Sequence, residues 1–347
     1  MTTLQNLGWR DFFARQISDD TPASLRPARV MAVHRDRLEL AGEGVPDSLP
    51  LAGRQDDSAV TVGDWIMVDT EAPRLHALLQ RFSVFKRRAA GSSAELQLIA
   101  ANVDTLIIVT SANRDFNIAR LERYLALAHE AAAWPLVVIS KADTVDKVEN
   151  YVRAASKLSP GLLVEAFDAR DPEAVEVLRP WCGPGQTVAL LGSSGVGKST
   201  LINTLVGTEQ LTASVRADDQ RGRHTTTWRS MHQLPAGGLL IDTPGMRELQ
   251  LVDVGAGLDD VFAELAAYAR SCRFSDCTHQ QEPACAVRAA VENGELDAGR
   301  LERYRKLLAE ERRNSETLAA RRSRDRSQGK LYRHIQSSKR REKNVED

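Results

Sequence analysis

The stretch that decides the fold is Gly192-Ser193-Ser194-Gly195-Val196-Gly197-Lys198-Ser199. It fits the pattern G-x-x-x-x-G-K-[ST], in which backbone N–H groups surround phosphates, the lysine binds β- and γ-phosphate oxygens, and the hydroxyl holds Mg²⁺. The apolar run Thr187–Leu191 precedes the loop and predicts a buried strand, and Leu201-Ile202-Asn203 continues as a helix. This strand–loop–helix order predicts a nucleotide site formed by the whole loop and by Thr200 in the first helical turn.

A second phosphate-side motif, Asp242-Thr243-Pro244-Gly245, follows the apolar run Leu239-Leu240-Ile241 about fifty residues downstream. A carboxylate at a strand end holds Mg²⁺ through water, and the backbone of a following glycine approaches the γ-phosphate. Asp-x-x-Gly alone is typical of an ordinary turn, but its distance from the phosphate loop favours a nucleotide site. We therefore expect Asp242 and Gly245 to contact the nucleotide and its metal ion.

The segment between these motifs, Arg221-Gly222-Arg223-His224-Thr225-Thr226-Thr227, has no apolar periodicity and is predicted to be a loop. A threonine in such a loop completes the Mg²⁺ shell when a γ-phosphate is present, and so orders the loop as a switch. We expect this threonine to be Thr226, acting beside Ser199, and Thr225 is the alternative. The segment is also typical of a solvated loop that has no role in nucleotide binding.

A base-reading motif lies upstream of the phosphate loop rather than downstream. The apolar run Pro135-Leu136-Val137-Val138-Ile139 predicts a strand that ends in Ser140-Lys141-Ala142-Asp143. Asp143 can accept hydrogen bonds from both N1–H and N2–H₂ of guanine, which adenine cannot match, and the Lys141 stem can cover the base face. Ser140 stands where Asn is usual, so we expect an altered hydrogen bond to the neighbouring loop.

The order of the motifs predicts a circular permutation of a GTPase domain. A second base-side motif, usually Ser-Ala, is expected after the next strand, and Asp168-Ala169 is a degenerate match to it. Permutation is tolerated where the original termini lie close together at the surface. Its consequence is that the switch segments lead directly into the C-terminal part of the chain.

Three thiols and an imidazole lie within fourteen residues, in the pattern Cys272-x₄-Cys277-x-His279-x₅-Cys285. Thiolate and imidazole are the ligands that tetrahedral zinc prefers, and four protein ligands leave no open position. The pattern therefore predicts one structural zinc ion. Because the segment 271–283 lacks long apolar runs, we expect metal binding to supply much of its folding free energy.

The composition predicts a globular chain of two or three domains, since 42% of the 347 residues are apolar and 27% are charged. No apolar run approaches the ~18–20 residues that span a bilayer. The N-terminus also lacks the basic and apolar segments of a secretory signal. We therefore expect a cytoplasmic protein without membrane contact.

The small net charge of −1 conceals a basic C-terminus. Residues 300–347 contain 16 Lys/Arg and 8 Asp/Glu, a net charge of +8, so the rest of the chain carries −9. A basic tail on an acidic body indicates a polyanionic partner such as nucleic acid, and a solvated basic helix without a partner is the alternative. Leu301, Tyr304 and Leu307 recur at helical spacing, and from about Arg321 the chain is predicted to be disordered until bound.

Short apolar runs in residues 28–85, such as Asp64-Trp65-Ile66-Met67-Val68, are separated by Gly/Pro/Asp-rich stretches. This pattern is typical of a small β-barrel. From the pattern alone, an OB-type barrel that binds RNA and a barrel used only for packing are equally plausible.

With these motifs, the chain resembles the RsgA (YjeQ) family of circularly permuted GTPases that depend on the small ribosomal subunit. The resemblance also rests on Phe85-Lys86-Arg87-Arg88-Ala89-Ala90-Gly91, Ile99–Asp104, Asp115-Phe116-Asn117 and Leu121–Leu125. It implies a multidomain α/β protein with a mainly parallel sheet covered by helices on both faces in its central domain. The implied division is a flexible N-terminal extension (1–27), an OB-type barrel (28–85), a permuted G domain (86–250), a helical zinc-binding domain (251–320) and a basic tail (321–347).

The resemblance also implies a function and a candidate catalytic residue. It implies that the protein binds GTP and GDP with Mg²⁺, and acts as a monomer in late maturation of the small subunit. Its implied partners are 16S rRNA and other late assembly factors. The water-orienting glutamine is absent in the family, and here Met246 occupies its position, while His224 matches the histidine proposed to serve instead. We expect slow intrinsic turnover, with Lys198 and Mg²⁺ stabilising the transition state.

Two other functions are compatible with these motifs. The chain would be an rRNA-binding assembly placeholder if it distinguished GTP from GDP with negligible hydrolysis. It would be an unrelated P-loop ATPase if the base site did not select guanine, which Asp143 disfavours.

Overall fold

The computed structural model describes residues 3–51, 60–88, 96–207, 229–242 and 254–315. Its strands are β1 (Leu25–Val33), β2 (Arg37–Ala41), β3 (Ser48–Pro50), β4 (Trp65–Asp69), β5 (Arg74–Leu78), β6 (Val84–Arg88), β7 (Leu96–Ala101), β8 (Thr105–Ser111), β9 (Trp134–Ser140), β10 (Leu163–Ala166), β11 (Thr187–Leu191), β12 (Arg229–Gln233) and β13 (Leu239–Asp242). Its α-helices are α1 (Asp11–Ala14), α2 (Ile118–Glu130), α3 (Val148–Ser156), α4 (Pro172–Val175), α5 (Arg179–Cys182), α6 (Lys198–Val206), α7 (Gly255–Val261), α8 (Ala263–Ala269), α9 (Ala286–Glu292) and α10 (Ala298–Ser315).

The central part of the chain is built on a mainly parallel sheet in the order β10-β9-β8-β11-β13-β12. The first five of these strands run parallel to one another, and β12 is antiparallel to β13. Every residue of β8 and β11 is buried, as expected for strands that are covered on both faces. The near-continuous apolar sequence of β11 is the run from which that strand was predicted, and β8 has the same character.

Helices cover both faces of this sheet, as predicted. Successive side chains of a strand point to opposite faces. Leu106 and Ile108 of β8 belong to the same buried core as Leu125 of α2. Ile107 and Val109 belong to a second core, which α6 and the short helices α4 and α5 complete.

The N-terminal barrel consists of the antiparallel strands β3-β2-β1-β4-β5. Its own core is formed by small and branched apolar side chains, among them Val30, Leu38, Ile66 and Val68. A register shift between Val30 and Ala32 bends β1, so that its two halves pair with different neighbours. The predicted OB-type barrel is thus confirmed as a five-stranded antiparallel unit.

The barrel and the central sheet are joined by hydrogen-bonded strands. The end of β1 pairs antiparallel with β12, with Ala32 opposite Ser230. A loop before β4 also lies directly against β7. Gly63 has φ +87°, and a Cβ at this position would lie 2.1 Å from the Ala101 carbonyl oxygen. Only glycine fits such a close backbone approach.

Arg29 of β1 fixes the barrel to two other parts of the chain. Its fully buried guanidinium donates hydrogen bonds to the Leu7 carbonyl (3.1 Å), the Asn102 carbonyl (3.0 Å) and Thr187 Oγ1 (3.2 Å). Burial lowers the pKa of Arg29 to about 10, and the nearby Asp104 and Asp64 oppose this shift. The guanidinium therefore remains charged at neutral pH. Through Thr187 it contacts the start of β11, the strand that leads into the phosphate loop.

Residues 3–24, which the sequence predicts to be part of a flexible extension, are instead packed onto the barrel. Leu7 and Phe13 are buried, and the ring of Trp9 meets that of Trp65 edge-on at 4.8 Å between centroids. Strand β1 begins at Leu25, within the segment predicted to be flexible. The segment is ordered because burial of several aromatic side chains offsets the entropy of ordering it.

The C-terminal helices are attached to α2. Gly257 of α7 lies so close to this helix that a Cβ would be 2.1 Å from the Ala126 carbonyl oxygen. The fully buried carboxylate of Glu122 accepts hydrogen bonds from Arg303 at 2.8 and 3.0 Å and from Arg300 at 3.2 Å. Within the described residues, no helix is both long enough and apolar enough to cross a membrane.

Candidate nucleotide site and metal centre

The phosphate loop has the predicted strand–loop–helix geometry. It connects β11 to α6, which begins at Lys198. Gly195 and Gly197 have φ +79° and +93°, in the region that favours glycine. A Cβ at Gly192 would lie 2.3 Å from the Val109 carbonyl oxygen of the neighbouring strand. Backbone conformation therefore requires glycine at positions 195 and 197, and close packing requires it at position 192.

Lys198 bends back over the loop. Its ammonium donates hydrogen bonds to the Gly192 carbonyl at 2.7 Å and to the Ser193 carbonyl. The residue is 7% exposed although it carries a charge. This places a cation inside the curve of the loop, where the motif lysine binds β- and γ-phosphate oxygens.

Ser140 connects the base-reading motif to the phosphate loop. It ends β9 and is fully buried, and its hydroxyl lies 2.6 Å from the Val196 carbonyl oxygen and 3.0 Å from that of Thr110. Since a hydroxyl has one proton, it serves one of these acceptors at a time. Serine thus makes a bond to the neighbouring loop in the position where asparagine is usual.

Lys141 also reaches the phosphate loop from the base-reading motif. It has φ 58°, and its ammonium donates a hydrogen bond to the Gly195 carbonyl at 2.8 Å. A left-handed conformation is costly for a residue with a side chain, and such conformations concentrate at functional sites. The lysine stem therefore crosses the space between the two motifs.

A cavity of about 200 Å³ lies where the two motifs meet. It is lined by Ser140, Lys141, Asp143, Thr144, Asp168, Ala169, Arg170, Gly197 and Thr200. The structure thus brings together the predicted base-reading motif, the degenerate second motif and the start of α6. A planar base held between the two loops would meet the Asp143 carboxylate.

Arg170 is a residue of this cavity that the sequence reasoning did not identify. Its guanidinium contacts Asp143 Oδ2 at 2.8 Å and both carboxylate oxygens of Asp168 at 2.9–3.1 Å. Hydrogen bonds from Arg170 lower the pKa of Asp168. The position of Arg170 directly after Asp168-Ala169 could have indicated its role. Because that motif is a degenerate match, the residue beside it was not considered.

Arg120 is a second unpredicted residue, and it contacts the phosphate loop from α2. It lies in the first turn of α2, where Asn117 caps the helix by accepting a hydrogen bond from the Arg120 backbone N–H at 2.9 Å. Its guanidinium donates to the Ser193 hydroxyl at 2.9 Å. Ser193 therefore contacts two cations, Arg120 through its hydroxyl and Lys198 through its carbonyl.

Several predicted contacts lie at or beyond the limits of the described residues. Ser199 is exposed in the first turn of α6, and Asp242 ends β13 beside β11. The predictions for His224, Thr226 and Gly245 fall outside the described residues, as does the basic tail.

The four predicted metal ligands converge. One ligand atom from each of Cys272, Cys277, His279 and Cys285 lies within 4.8 Å of every other. The Cys272 and Cys285 sulfurs are 3.9 Å apart, and His279 Nδ1 is 3.4 Å from the Cys285 sulfur. A tetrahedron with Zn–S bonds of about 2.3 Å has S–S edges of about 3.8 Å. The donor set and its spacing therefore fit one zinc ion.

Glu282 organises the turn between two of these ligands. Its carboxylate accepts hydrogen bonds from the backbone N–H groups of Thr278 and Gln280, both at 2.8 Å, and of Gln281 at 3.1 Å. A hydrogen bond from the Thr278 hydroxyl, together with these backbone bonds, lowers the pKa of Glu282. The turn that carries His279 is thus held by a side chain that the ligand spacing does not include.

Comparison with known proteins agrees with this geometry. A family model described as RsgA GTPase matches residues 78–252. The chain is 50% identical over 338 residues to the small ribosomal subunit biogenesis GTPase RsgA 2 of Vibrio vulnificus, covering 97% of this chain and 96% of that protein. It is 49% identical over 317 residues to the RsgA of Mesorhizobium japonicum, covering 90% and 91%.

Solved structures show the same architecture. The crystal structure of YjeQ from Thermotoga maritima aligns with a TM-score of 0.61 at 25% identity, over 82% of this chain and 98% of that one. YloQ, described as a circularly permuted GTPase, aligns with a TM-score of 0.58 at 21% identity, over 87% and 100%. With the inverted motif order and the length of the sequence matches, the chain belongs to the RsgA GTPase family.

Proposed function

We propose that this protein is a GTPase that acts in the biogenesis of the small ribosomal subunit. The observation that carries the proposal is the shared cavity, in which the upstream motif of Asp143 and the phosphate loop form one site despite their inverted order. The names of its relatives, each a small ribosomal subunit biogenesis GTPase, support the assignment.

Each part of the site has a separate role in this proposal. Asp143 accepts hydrogen bonds from guanine N1–H and N2–H₂, and the Lys141 stem covers the base. The loop 192–197 donates backbone N–H groups to the α- and β-phosphates, and Lys198 binds the β- and γ-phosphate oxygens. Because adenine has neither donor at the corresponding edge, the carboxylate selects guanine.

The metal and switch residues complete the proposed mechanism. Ser199 and Asp242 would hold Mg²⁺, with Thr226 joining when GTP is bound, and a bound ion would supply charge neutralisation at the phosphates. His224 orients the attacking water. Replacing His224 with Ala should slow hydrolysis and leave GDP affinity unchanged, and equal turnover would exclude this role.

The remaining parts of the chain are assigned to support and docking. One zinc ion holds the segment 272–285 in place, the barrel contacts 16S rRNA, and the basic tail adds electrostatic attraction to the rRNA phosphates. We further propose a cytoplasmic monomer that works with other late assembly factors. The domain limits at residues 86, 251 and 321 belong to the same proposal, whereas the barrel begins at Leu25 rather than at residue 28.

GTP turnover with and without purified small subunits tests the function. The proposal predicts slow hydrolysis by the protein alone and strong stimulation by subunits, with GTP bound much more tightly than ATP. GTP and GDP binding without stimulation at saturating subunit would favour the alternative of an rRNA-binding placeholder. Equal affinity for ATP and GTP would exclude a guanine site.

A further inference from the structure

Arg170 lies against the carboxylate that is proposed to recognise guanine. Its Nη2 donates to Asp143 Oδ2 at 2.8 Å, and the side chain is 68% exposed at the mouth of the cavity. The Asp143 side chain is 37% exposed, so solvent and ligands can reach both partners. The contact therefore occupies an acceptor that the base would need.

The Arg170 guanidinium and the Watson–Crick edge of guanine are similar hydrogen-bond donors. A guanidinium is planar and presents adjacent N–H groups to a carboxylate, as does the N1–H/N2–H₂ edge of guanine. In this structure Arg170 Nη2 already donates to Oδ2 of Asp143, which is one of the two oxygens that the guanine edge would use. A guanine that pairs with both oxygens would therefore meet Arg170 at Oδ2, and departing guanine leaves that oxygen to Arg170 alone.

Asp168 keeps the competing group close to the cavity. It accepts hydrogen bonds from Arg170 Nε at 3.0 and 3.1 Å, from Nη2 at 2.9 Å and from the Arg170 backbone N–H at 3.0 Å. None of these bonds involves Asp143, so none of them has to break when Asp143 takes another partner. A tethered competitor acts at a high effective concentration, so its return needs no diffusion.

We propose that Arg170 competes with the guanine base for Asp143 and so accelerates the release of bound nucleotide. This proposal rests on the proposed function, because it requires that Asp143 binds the base. It adds an affinity-setting residue to the site. Nucleotide exchange would then be assisted from within the chain by the residue that follows the second base-side motif.

The dissociation rate of a fluorescent GDP analogue from the full-length protein tests the proposal. Arg170→Ala should slow dissociation about two- to fivefold, the range expected for an exposed ion pair. Arg179→Ala is the matched control, because Arg179 is 69% exposed and pairs with Glu176 at 2.8 Å outside the cavity. This control should dissociate at the wild-type rate.

Ionic strength supplies an independent readout. Salt screens exposed ion pairs, so wild-type dissociation should slow toward the Arg170→Ala rate as salt rises, while the variant should respond less. Unchanged or faster dissociation of Arg170→Ala would overturn the proposal, and faster dissociation would indicate that Arg170 holds the nucleotide instead.

A variant of Asp143 separates failure of this proposal from failure of the proposed function. If Asp143→Asn binds GDP like the wild type, the base-reading role is wrong, and the competition argument is overturned with it. If Asp143→Asn weakens GDP binding and Arg170→Ala fails to slow release, only the competition is excluded. In the Asp143→Asn background, Arg170→Ala should have little effect on release of a xanthine nucleotide.

Discussion

Replacing Ser140 with Ala tests whether the base-reading strand holds the phosphate loop in its binding conformation. The substitution deletes a buried hydroxyl whose shorter contact, 2.6 Å, is to the Val196 carbonyl oxygen within the loop. A buried carbonyl left without a partner costs about 1–3 kcal/mol. Only one proton is lost, and the loop can turn its carbonyl toward solvent, so the cost should lie near the lower limit.

A cost of about 1–1.4 kcal/mol corresponds to roughly a five- to tenfold increase in the dissociation constant for GDP. This cost lowers the affinity for GDP, because the released loop must be reordered around the phosphates when the nucleotide binds. Titration of a fluorescent GDP analogue, with isothermal calorimetry as a second method, measures this change directly.

Ser111→Ala is the matched control for this experiment. Ser111 ends β8 directly opposite Ser140 in the parallel pairing and is equally buried, but its hydroxyl donates to Asn113 Oδ1 at 3.0 Å rather than to the loop. Its loss should lower stability and leave GDP affinity within about twofold of wild type. Equal GDP affinities for the two variants would refute the reasoning.

Two further predictions concern the C-terminal helices. Arg303→Ala should lower the free energy of unfolding by about 1–3 kcal/mol, because it removes one partner of the buried Glu122 while another remains. Arg305 is also 29% exposed, but it pairs at 3.7 Å with an exposed carboxylate, so Arg305→Ala should cost less than about 1 kcal/mol. Urea titration measures the free energy of unfolding of both variants. Cys285→Ser should reduce zinc from one ion per chain and lower the melting temperature. Cys182→Ser, a buried thiol outside the cluster, should retain the metal, and full zinc content in both variants would exclude the site.

Much of the fold could be predicted because its signals are local. The phosphate loop and the strand before Ser140 are contiguous patterns, and each was found where it was expected. Leu301, Tyr304 and Leu307 repeat at helical spacing and form the buried side of α10. The zinc ligands span fourteen residues, so their spacing alone was sufficient to predict that they converge.

The features that were missed depend on residues far apart in the chain. Pairing of β1 with β12 joins residues about two hundred positions apart, and neither strand indicates its partner. Trp9 and Phe13 lie in a short segment without clear periodicity, so its packing was mistaken for flexibility. Arg170 was missed because its contact with Asp143 spans 27 residues and follows from strand order, not from spacing.

The central claim is that the upstream motif reads guanine beside the downstream phosphate loop. The most direct test is the affinity of the wild type and of Asp143→Asn for GDP and for the corresponding xanthine nucleotide. Xanthine presents a carbonyl where guanine has its amino group, and the asparagine amide can donate to that carbonyl. The variant should lose GDP affinity by at least about tenfold and should prefer the xanthine nucleotide. A variant that keeps wild-type affinity for GDP and gains none for xanthine would contradict it.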